Sequence, residues 1–228
     1  FYVFRCLMPD YTPACAGTFE SISLRAIKGS LVNAEWPAAV AAGNVETSTR
    51  IVDVILGALA QAIPERIPAA SQGSMNNLAM GREATATQPR WDYYETIGGG
   101  MGASAKGAGQ SAVQTHMTNT LNTPVESLEI HFPLRIMEYS IRKGSGGGGD
   151  HSGGNGITRG IRFLAPAEVT LLTERRRHRP WGLGGGGSGH SGQNRLNGEL
   201  LPGKVNFEAL AGDTLVIDTP GGGGWSEG

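Results

Sequence analysis

Three glycine-rich clusters in the second half of the chain constrain its fold more than any other feature. They occupy residues 143–155, 181–194 and 220–225, and each follows a segment of strand composition. Glycine supplies 36 of the 228 residues, roughly twice its average usage, without the period of collagen. Because ordinary strand and helix sequence separates the clusters, we expect the glycines to form turns and close backbone approaches rather than disorder.

Phosphate-binding loops are the alternative interpretation of such clusters, since the backbone N–H groups of glycine can surround an anion. Loops of that kind lead directly into a helix, and a Walker loop also carries a GK[ST] signature. No cluster in this chain has that signature or precedes a convincing helix. The sequence therefore predicts tight turns and contacts between subunits.

One long helix is predicted in the first half of the chain. Apolar residues recur at helical spacing from Ile51 to Ile63, Asn44 is a candidate N-cap, and Pro64 ends the pattern. The apolar stripe is broad. We therefore expect the helix to be largely buried.

Segments of strand composition dominate the rest of the chain. Residues 1–8 and 19–27 are expected to pair with each other, and further strands follow between the glycines, including one at residues 134–142. No alternating strand–helix pattern is present. The sequence predicts a β-rich α+β fold with mixed or antiparallel sheets, one long buried helix and glycine-rich connections.

The charge balance excludes some classes of partner. The chain has 19 Lys and Arg and 20 Asp and Glu, a formal net charge of -1, so no overall field draws it to nucleic acid or anionic lipid. No apolar run reaches the roughly 20 residues of a membrane span, and no signal peptide opens the chain. Cys6 and Cys15 fit a reduced pair better than a disulfide. These features predict a soluble, cytoplasmic protein.

Three amide side chains form the first candidate binding site. Gln72, Asn76 and Asn77 lie in the segment QGSMNN, shortly after the predicted helix. Paired amide donors and acceptors can hold a polar ligand. Asn and Gln side chains also cap turns, so the sequence leaves both interpretations open.

A carboxylate and a histidine are the candidates for catalysis. Glu95 ends a predicted strand just before the glycines at residues 98–100, which could approach a ligand closely, so it is the preferred general acid–base. His116 lies with Asn119 in a polar loop, where it could shuttle a proton or complete a metal shell. A solvated Glu95 and a structural His116 are the alternatives. No HxxxH or HxH pair is present, so no metal ligand is assigned.

A basic run, ERRRHR, occupies residues 174–179. Arginine side chains bind carboxylate and phosphate groups, so an anionic partner is one interpretation. Charged side chains also protect exposed strand edges from aggregation. We favour a solvated strand edge, with pairing between subunits as a secondary role.

Five segments together resemble one protein family. In order along the chain they are similar to the carboxy-terminal half of hydantoinase B proteins, which include N-methylhydantoinase and 5-oxoprolinase subunits and acetone and acetophenone carboxylase subunits. One of the five reads YYETIGGGMGA. Each motif is short, but the resemblance extends over nearly the whole chain. The segments are residues 38–77, 93–103, 115–129, 176–186 and 201–225.

The resemblance implies an ATP-dependent enzyme that opens a cyclic amide such as hydantoin, 5-oxoproline or a lactam. A hydantoinase A-like ATPase partner would use ATP and Mg²⁺ to phosphorylate a substrate oxygen, and the B-type region would complete hydrolysis. Family members with a divalent metal, zinc or manganese, hold it through Glu, His, Asp and His in the amino-terminal half of the B-type subunit.

We therefore expect residues 1–228 to be the carboxy-terminal portion of a B-type subunit, as a fragment or processed chain within a hetero-oligomer that also contains the amino-terminal half. A division into an α+β part at residues 1–130 and a β-rich part at residues 131–228 is possible. The predicted catalytic residues are Glu95 and His116. The predicted substrate-binding residues are Gln72, Asn76, Asn77 and Asn119.

Two other functions stay open. The carboxylase branch of the family implies a ketone and bicarbonate as substrates. In a non-catalytic assembly module, the glycine clusters and the arginine run would serve only to dock subunits.

Overall fold

Helices and antiparallel sheets share the chain in the computed structural model, which describes residues 1–86 and 89–226. The expected α+β class with antiparallel sheets is confirmed. The helices are α1 (Tyr2–Leu7), α2 (Gly43–Leu59) and α3 (Val125–His131), with short 3₁₀ turns at Ala16–Phe19 and Pro64–Arg66. The strands are β1 (Asn77–Arg82), β2 (Trp91–Glu95), β3 (Leu134–Arg142), β4 (Gly156–Phe163), β5 (Ala167–Leu172), β6 (Gln193–Leu196), β7 (Glu199–Leu201), β8 (Lys204–Ala209) and β9 (Thr214–Asp218).

The strands form two antiparallel sheets, ordered β2-β1-β5-β8 and β3-β4-β9-β6-β7. Side chains alternate across the first sheet: in β5, Val169 and Leu171 are fully buried while Glu168 is exposed. In the second sheet, Ile161 of β4 and Ile217 of β9 are also fully buried. Residues of both sheets and of α3 pack into one hydrophobic core. Residue 130 is the boundary of the division into two parts that the sequence allows. The first sheet joins strands from both sides of this boundary, because β1 pairs with β5.

The glycine clusters run as extended segments beside one another and beside residues 98–103. The backbone N–H of Gly222, for example, donates to the carbonyl oxygen of Gly154 at 2.9 Å. A Cβ atom at Gly222 would lie 2.0 Å from the carbonyl oxygen of Met101, and one at Gly154 would lie 1.9 Å from that of Gln110. No side chain fits between backbones at that separation, so the predicted close backbone approach is confirmed.

Tight turns account for a smaller share of these glycines. Gly184 and Gly185 have φ values of 61° and 94°, in the left-handed region that glycine adopts without steric cost. The predicted turns are confirmed there. The predicted contacts between subunits stay a prediction.

The two strands predicted near the amino terminus are wrong. Residues 2–7 form α1, in which Val3 is buried against Val52 and Leu56 of α2. Between Glu20 and Ala42 the chain has no regular helix or strand. Leu24 there is 77% exposed, so no core face is available to a strand in this segment.

Helix α2 follows the prediction closely but buries only one face. It begins after Ala42, which replaces Asn44 as the N-cap, and it ends before Pro64, which opens a 3₁₀ turn. Its buried face combines Val52 and Leu56 with polar residues, whereas Val54 is 72% exposed. The helix has 17 residues. Across the described ranges, no helix combines the length and the apolar character that a membrane span needs.

Candidate functional site

A buried carboxyl group, that of Glu46, lies at the centre of a polar network between α2 and the start of β1. Its Oε1 accepts hydrogen bonds from Asn77 Nδ2 at 2.8 Å and from the backbone N–H of Met75 at 3.0 Å. Its Oε2 is buried and has no hydrogen-bond partner within the described residues. Burial raises the pKa of Glu46 to about 7, although the Met75 hydrogen bond opposes this shift. Such a carboxyl can gain or lose a proton near neutral pH.

The predicted binding residue Asn77 belongs to this network. Besides its bond to Glu46, Asn77 Nδ2 donates to the carbonyl oxygen of Leu172 at 2.9 Å. Asn77 Oδ1 accepts a hydrogen bond from Tyr94 Oη at 2.5 Å. Protein groups therefore use both ends of this amide, which fixes its orientation beside Glu46.

The other two predicted amides, Gln72 and Asn76, are fully buried and contact each other. Asn76 Nδ2 donates to Gln72 Oε1 at 2.7 Å and to the carbonyl oxygen of Ile97 at 2.9 Å. Asn76 Oδ1 accepts from Arg176 Nη1 at 2.6 Å. Gln72 Nε2 is buried without a partner in the part of the chain that the structure describes. The structure thus brings Gln72, Asn76 and Asn77 together, and their substrate-binding role stays a prediction.

The basic run is not a strand edge, so that prediction is wrong. Arg175, with a left-handed φ of 57°, turns inward and is only 7% exposed. Its Nη2 donates to Asp53 Oδ2 at 2.7 Å, and Arg50 pairs with the same oxygen. Burial lowers the pKa of Arg175. The aspartate of α2 provides the negative charge that makes this burial possible.

Arg176 continues the network on the other side of the same loop. It contacts Asn76, as described above, and its Nη2 donates to Asn194 Oδ1 at 2.7 Å. Burial lowers the pKa of Arg176 to about 9, so the side chain is still charged at neutral pH. Arg175 and Arg176 therefore connect α2, the segment before β1 and β6 in the protein interior. The last three residues of the run, 177–179, are exposed.

Glu95, the predicted general acid–base, lies in a buried ion pair. Its two carboxylate oxygens accept hydrogen bonds from Arg159 Nε at 3.2 Å and Arg159 Nη2 at 3.1 Å. Tyr93 Oη donates to Oε2 at 2.9 Å and Asn122 Nδ2 donates to it at 3.1 Å. Arg159 is fully buried and stacks on the ring of Tyr139 at 4.4 Å. This geometry favours a structural role, and the catalytic role stays a prediction.

His116, the second predicted catalytic residue, contacts α1. Its Nδ1 is 3.2 Å from Tyr2 Oη of α1, and its Nε2 is buried without a partner in the described ranges. Burial lowers the pKa of His116, which favours the neutral imidazole. The charges of Asp53, which raises this pKa, and of Arg50, which lowers it, have smaller effects than burial.

Asn119, the last predicted binding residue, lines a surface groove of about 460 Å³. Gln114, Asn122 and Tyr139 line the same groove, and Tyr139 Oη donates to Asn122 Oδ1 at 3.1 Å. Because Asn122 also contacts Glu95, the ion pair lies directly behind this groove. Asn119 and the Glu95 ion pair are therefore connected through this groove. The other predicted binding residues, Gln72, Asn76 and Asn77, belong to the separate network beside Glu46.

Sequence reasoning missed Glu46, Asp53, Arg159 and Arg175 as members of buried networks. One signal was present for the helix: Glu46 and Asp53 are seven residues apart and share a face with Val52 and Leu56 of α2. Acidic residues on the core side of a helix need internal partners.

The divalent metal that the family resemblance implies would be held by the amino-terminal half of the B-type subunit. No group of three or more His, Cys, Asp or Glu side chains that could hold a metal ion occurs in residues 1–86 and 89–226. The most deeply buried acidic groups, Glu95 and Asp53, are already paired with arginines.

Comparison with known proteins identifies the family. The family model described as Hydantoinase B/oxoprolinase matches residues 1–228. An uncharacterized protein of Methanocaldococcus jannaschii is 41% identical over 98% of this chain, and 5-oxoprolinase 1 of Arabidopsis thaliana is 42% identical over 98% of it. The crystal structure of an ATP-dependent caprolactamase from Pseudomonas jessenii matches 99% of this chain with a TM-score of 0.76 and 25% identity.

The chain spans only part of each of these proteins. It covers 39% of the Methanocaldococcus protein, 17% of the Arabidopsis 5-oxoprolinase and 42% of the caprolactamase chain. The family match, by contrast, includes every residue from the first to the last. The chain therefore belongs to the hydantoinase B/oxoprolinase family.

Proposed function

We propose that this chain provides the carboxy-terminal part of a B-type subunit to an ATP-dependent enzyme that opens cyclic amides. The main support is the family match over the whole chain, together with relatives named for two ring amides, 5-oxoproline and caprolactam. The partners would be a hydantoinase A-like ATPase and the amino-terminal part of the B-type subunit, in a hetero-oligomer.

An exposed apolar segment supports such an assembly. Between Glu20 and Ala42 the chain has no regular secondary structure, yet it exposes large apolar side chains. Trp36 is 93% exposed and Ile27 is 83% exposed. Contiguous exposed apolar surface commonly marks a contact with another protein surface. In the proposed enzyme, another part of the assembly would cover this segment.

The chemistry explains why such an enzyme needs ATP. Hydrolysis of an unstrained ring amide is slow at neutral pH, because the carbonyl carbon is a weak electrophile. ATP, bound with Mg²⁺ by the ATPase partner, would supply a phosphoryl group that activates the amide oxygen. The residues of this chain would bind and orient the ring and hold a proton. Glu46 suits the last task, because its pKa is near 7 and one of its oxygens has no donor among the described residues.

The predicted catalytic residues take different parts in this proposal. His116 is neutral when buried and has a ring nitrogen without a described partner, so it could accept a proton. Glu95 would have to release one of its hydrogen bonds before it could act as a base. We therefore propose Glu95 as a positioning residue that fixes Asn122 at the groove that Asn119 lines.

Substrate-dependent ATP hydrolysis tests the proposed function. The complex of this chain, the amino-terminal part of the B-type subunit and the ATPase partner is incubated with ATP and either hydantoin, 5-oxoproline or a lactam, and ADP release is measured. We expect one of these ring amides to stimulate ADP release. If none of them does so in an intact complex, the proposal is wrong.

The same assay separates the two rival functions. ADP release that requires bicarbonate and a ketone would indicate the carboxylase branch. A non-catalytic assembly module is indicated if Glu95→Gln and His116→Gln variants assemble normally and keep full turnover. A hydrolase in which these residues contribute to the site predicts that at least one of the two variants loses turnover although it still assembles normally.

A further inference from the structure

The surface groove that Asn119 lines has a volume of about 460 Å³, and none of the described residues that line it has a charged side chain. A volume of this order is typical of sites for small molecules. A carboxylate, phosphate or ammonium group would lose part of its hydration there without gaining a counter-ion, which is unfavourable. The lining therefore favours a ligand that is polar but neutral.

Four side-chain amides line this groove, and two of them are held by other protein groups. Asn122 Nδ2 donates to Glu95 Oε2 at 3.1 Å and to the carbonyl oxygen of Thr96 at 3.0 Å. Asn122 Oδ1 accepts from Tyr139 Oη at 3.1 Å. Gln114 Nε2 donates to Thr96 Oγ1 at 3.4 Å. These contacts fix one wall of the groove before a ligand binds, which lowers the entropic cost of binding.

The other two amides, those of Gln110 and Asn119, are exposed and have no hydrogen-bond partner in the part of the chain that the structure describes. Each offers N–H donors and an oxygen acceptor. These polar atoms are therefore available to a ligand. In the same lining, Leu121 is fully exposed and Tyr139 is 46% exposed, so the groove also offers apolar surface.

A cyclic amide matches this combination of groups. An open-chain amide is almost always trans, so its N–H and carbonyl groups point in opposite directions. A small ring forces the cis form, in which the donor and the acceptor lie on the same edge. That edge is complementary to the side-chain amide of Asn or Gln, because each donor can face an acceptor in a pair of parallel hydrogen bonds.

We propose that this groove binds the ring amide of the substrate as a neutral molecule. The side-chain amides of Gln110 and Asn119 bond the N–H and carbonyl edge of the ring. Leu121 and Tyr139 contact the ring carbons. The proposal rests on the proposed function and adds a binding site to it. Glu46 is not part of the lining, so the proposal concerns recognition of the ring and not proton transfer.

Three small molecules with one shared ring test the ligand side. Pyrrolidinone has the ring amide, N-methylpyrrolidinone lacks the N–H, and 5-oxoproline adds a carboxylate. NMR titration of the 228-residue chain gives the dissociation constant of each, and residues 110–122 should show the largest shifts. We expect loss of the N–H to weaken binding about fivefold, the effect of one neutral hydrogen bond.

The carboxylate of 5-oxoproline should not tighten binding, because the lining holds no cation. Tighter binding of 5-oxoproline than of pyrrolidinone would indicate a positive group at the site and contradict a neutral groove. Absence of pyrrolidinone binding, or equal affinity for pyrrolidinone and its N-methyl form, would also overturn the proposal.

Two variants test the protein side. Gln110→Met and Asn119→Leu each replace an exposed amide by an apolar group of similar size. We expect each to weaken pyrrolidinone binding about threefold to tenfold, because the hydrogen bonds to the ring are lost. Gln61→Met and Asn44→Leu change exposed amides outside the groove and should leave the affinity unchanged. Unchanged affinity in both groove variants, or an equal loss in the two controls, contradicts the site.

Failure of this site and failure of the proposed function give different results. If the full complex opens ring amides with unchanged KM in the Gln110→Met and Asn119→Leu variants, the function stands and the groove is not the site. If the chain binds pyrrolidinone at this groove but the complex hydrolyses no ATP with any ring amide, the site stands and the proposed function is wrong.

Discussion

Two buried glutamates of this chain are held in opposite ways. Glu95 faces the guanidinium of Arg159 and accepts four hydrogen bonds, which stabilise the charged carboxylate. Glu46 has no ion pair in the described ranges and keeps one oxygen without a partner, and its pKa rises to about 7. These different surroundings favour a structural role for Glu95 and a proton-carrying role for Glu46.

Glu46→Gln should change how stability depends on pH. The folded chain holds the Glu46 proton up to a pKa of about 7, whereas an unperturbed glutamate has a pKa of 4.5. Between these values the folded state binds more protons than the unfolded state, so the free energy of unfolding falls as pH rises, by roughly 3 kcal/mol. Glutamine cannot titrate, so this fall should be smaller in the variant. Urea unfolding from pH 4.5 to 7.5 measures it, and parallel pH profiles would contradict the raised pKa.

Arg159→Met should destabilise the chain strongly, because it leaves the buried Glu95 carboxylate without its positive partner. Losses of about 3 to 5 kcal/mol are usual when one partner of a buried ion pair is removed. Glu95→Gln should also be destabilising, since it leaves Arg159 unpaired. We expect the double variant to lose clearly less than the sum of the two, as measured by urea unfolding. Strict additivity would mean that the ion pair does not couple the two residues.

The glycine-rich segments act as one packed element. Their backbones exchange hydrogen bonds at a separation that excludes side chains, as the contacts of Gly222 and Gly154 illustrate. Strands β4 and β9 lead into or out of this element. The glycines therefore determine how the ends of the second sheet are joined.

Gly222→Ala and Gly148→Ala form a matched pair within this element. An added Cβ at Gly222 would meet the backbone oxygen of Met101 at 2.0 Å, whereas Gly148 has no atom within 4 Å of the added Cβ. We expect Gly222→Ala to lose about 3 kcal/mol or more of stability through overpacking. Gly148→Ala should be neutral or stabilising by about 0.5 kcal/mol, because alanine restricts the unfolded chain. Similar melting temperatures for both variants would contradict the packed arrangement.

Sequence patterns predict the helices and strands of this fold better than its buried hydrogen bonds and ion pairs. The periodicity of α2 and the composition of β3 at Leu134–Arg142 led to correct predictions. The apolar run at residues 2–7 is too short to distinguish a strand from a helix by its pattern. Its contact with α2 favours the helix that the structure shows. The hairpin of β6 and β7 was missed, although its turn is Asn197-Gly198, with φ values of 49° and 88°.

The candidate site could be predicted only in part. The segment at residues 72–77 contains Gln72, Asn76 and Asn77, so the sequence alone indicates that these three amides lie close together. The partners that hold the site are far away along the chain: Arg175 and Asp53 are 122 residues apart, and Arg159 and Glu95 are 64 apart. Periodicity describes which face a residue occupies but not which distant residue it meets.

At the scale of the whole molecule, the chain combines one shared hydrophobic core with an exposed apolar segment before α2. The two sheets and α3 share one core, and the buried Arg175–Asp53 ion pair connects α2 to the loop after β5. In the proposed enzyme, another part of the assembly would cover the exposed apolar segment before α2.

The coupling between ring opening and ATP use tests the central claim most directly. The complex is assembled with and without this chain, supplied with ATP and the stimulating ring amide in bicarbonate-free buffer, and analysed for ADP and the ring-opened acid by mass spectrometry. We predict that the acid and ADP form in equal amounts only when the chain is present. Ring opening at the same rate without the chain, or ADP release without any ring-opened acid, would contradict the account.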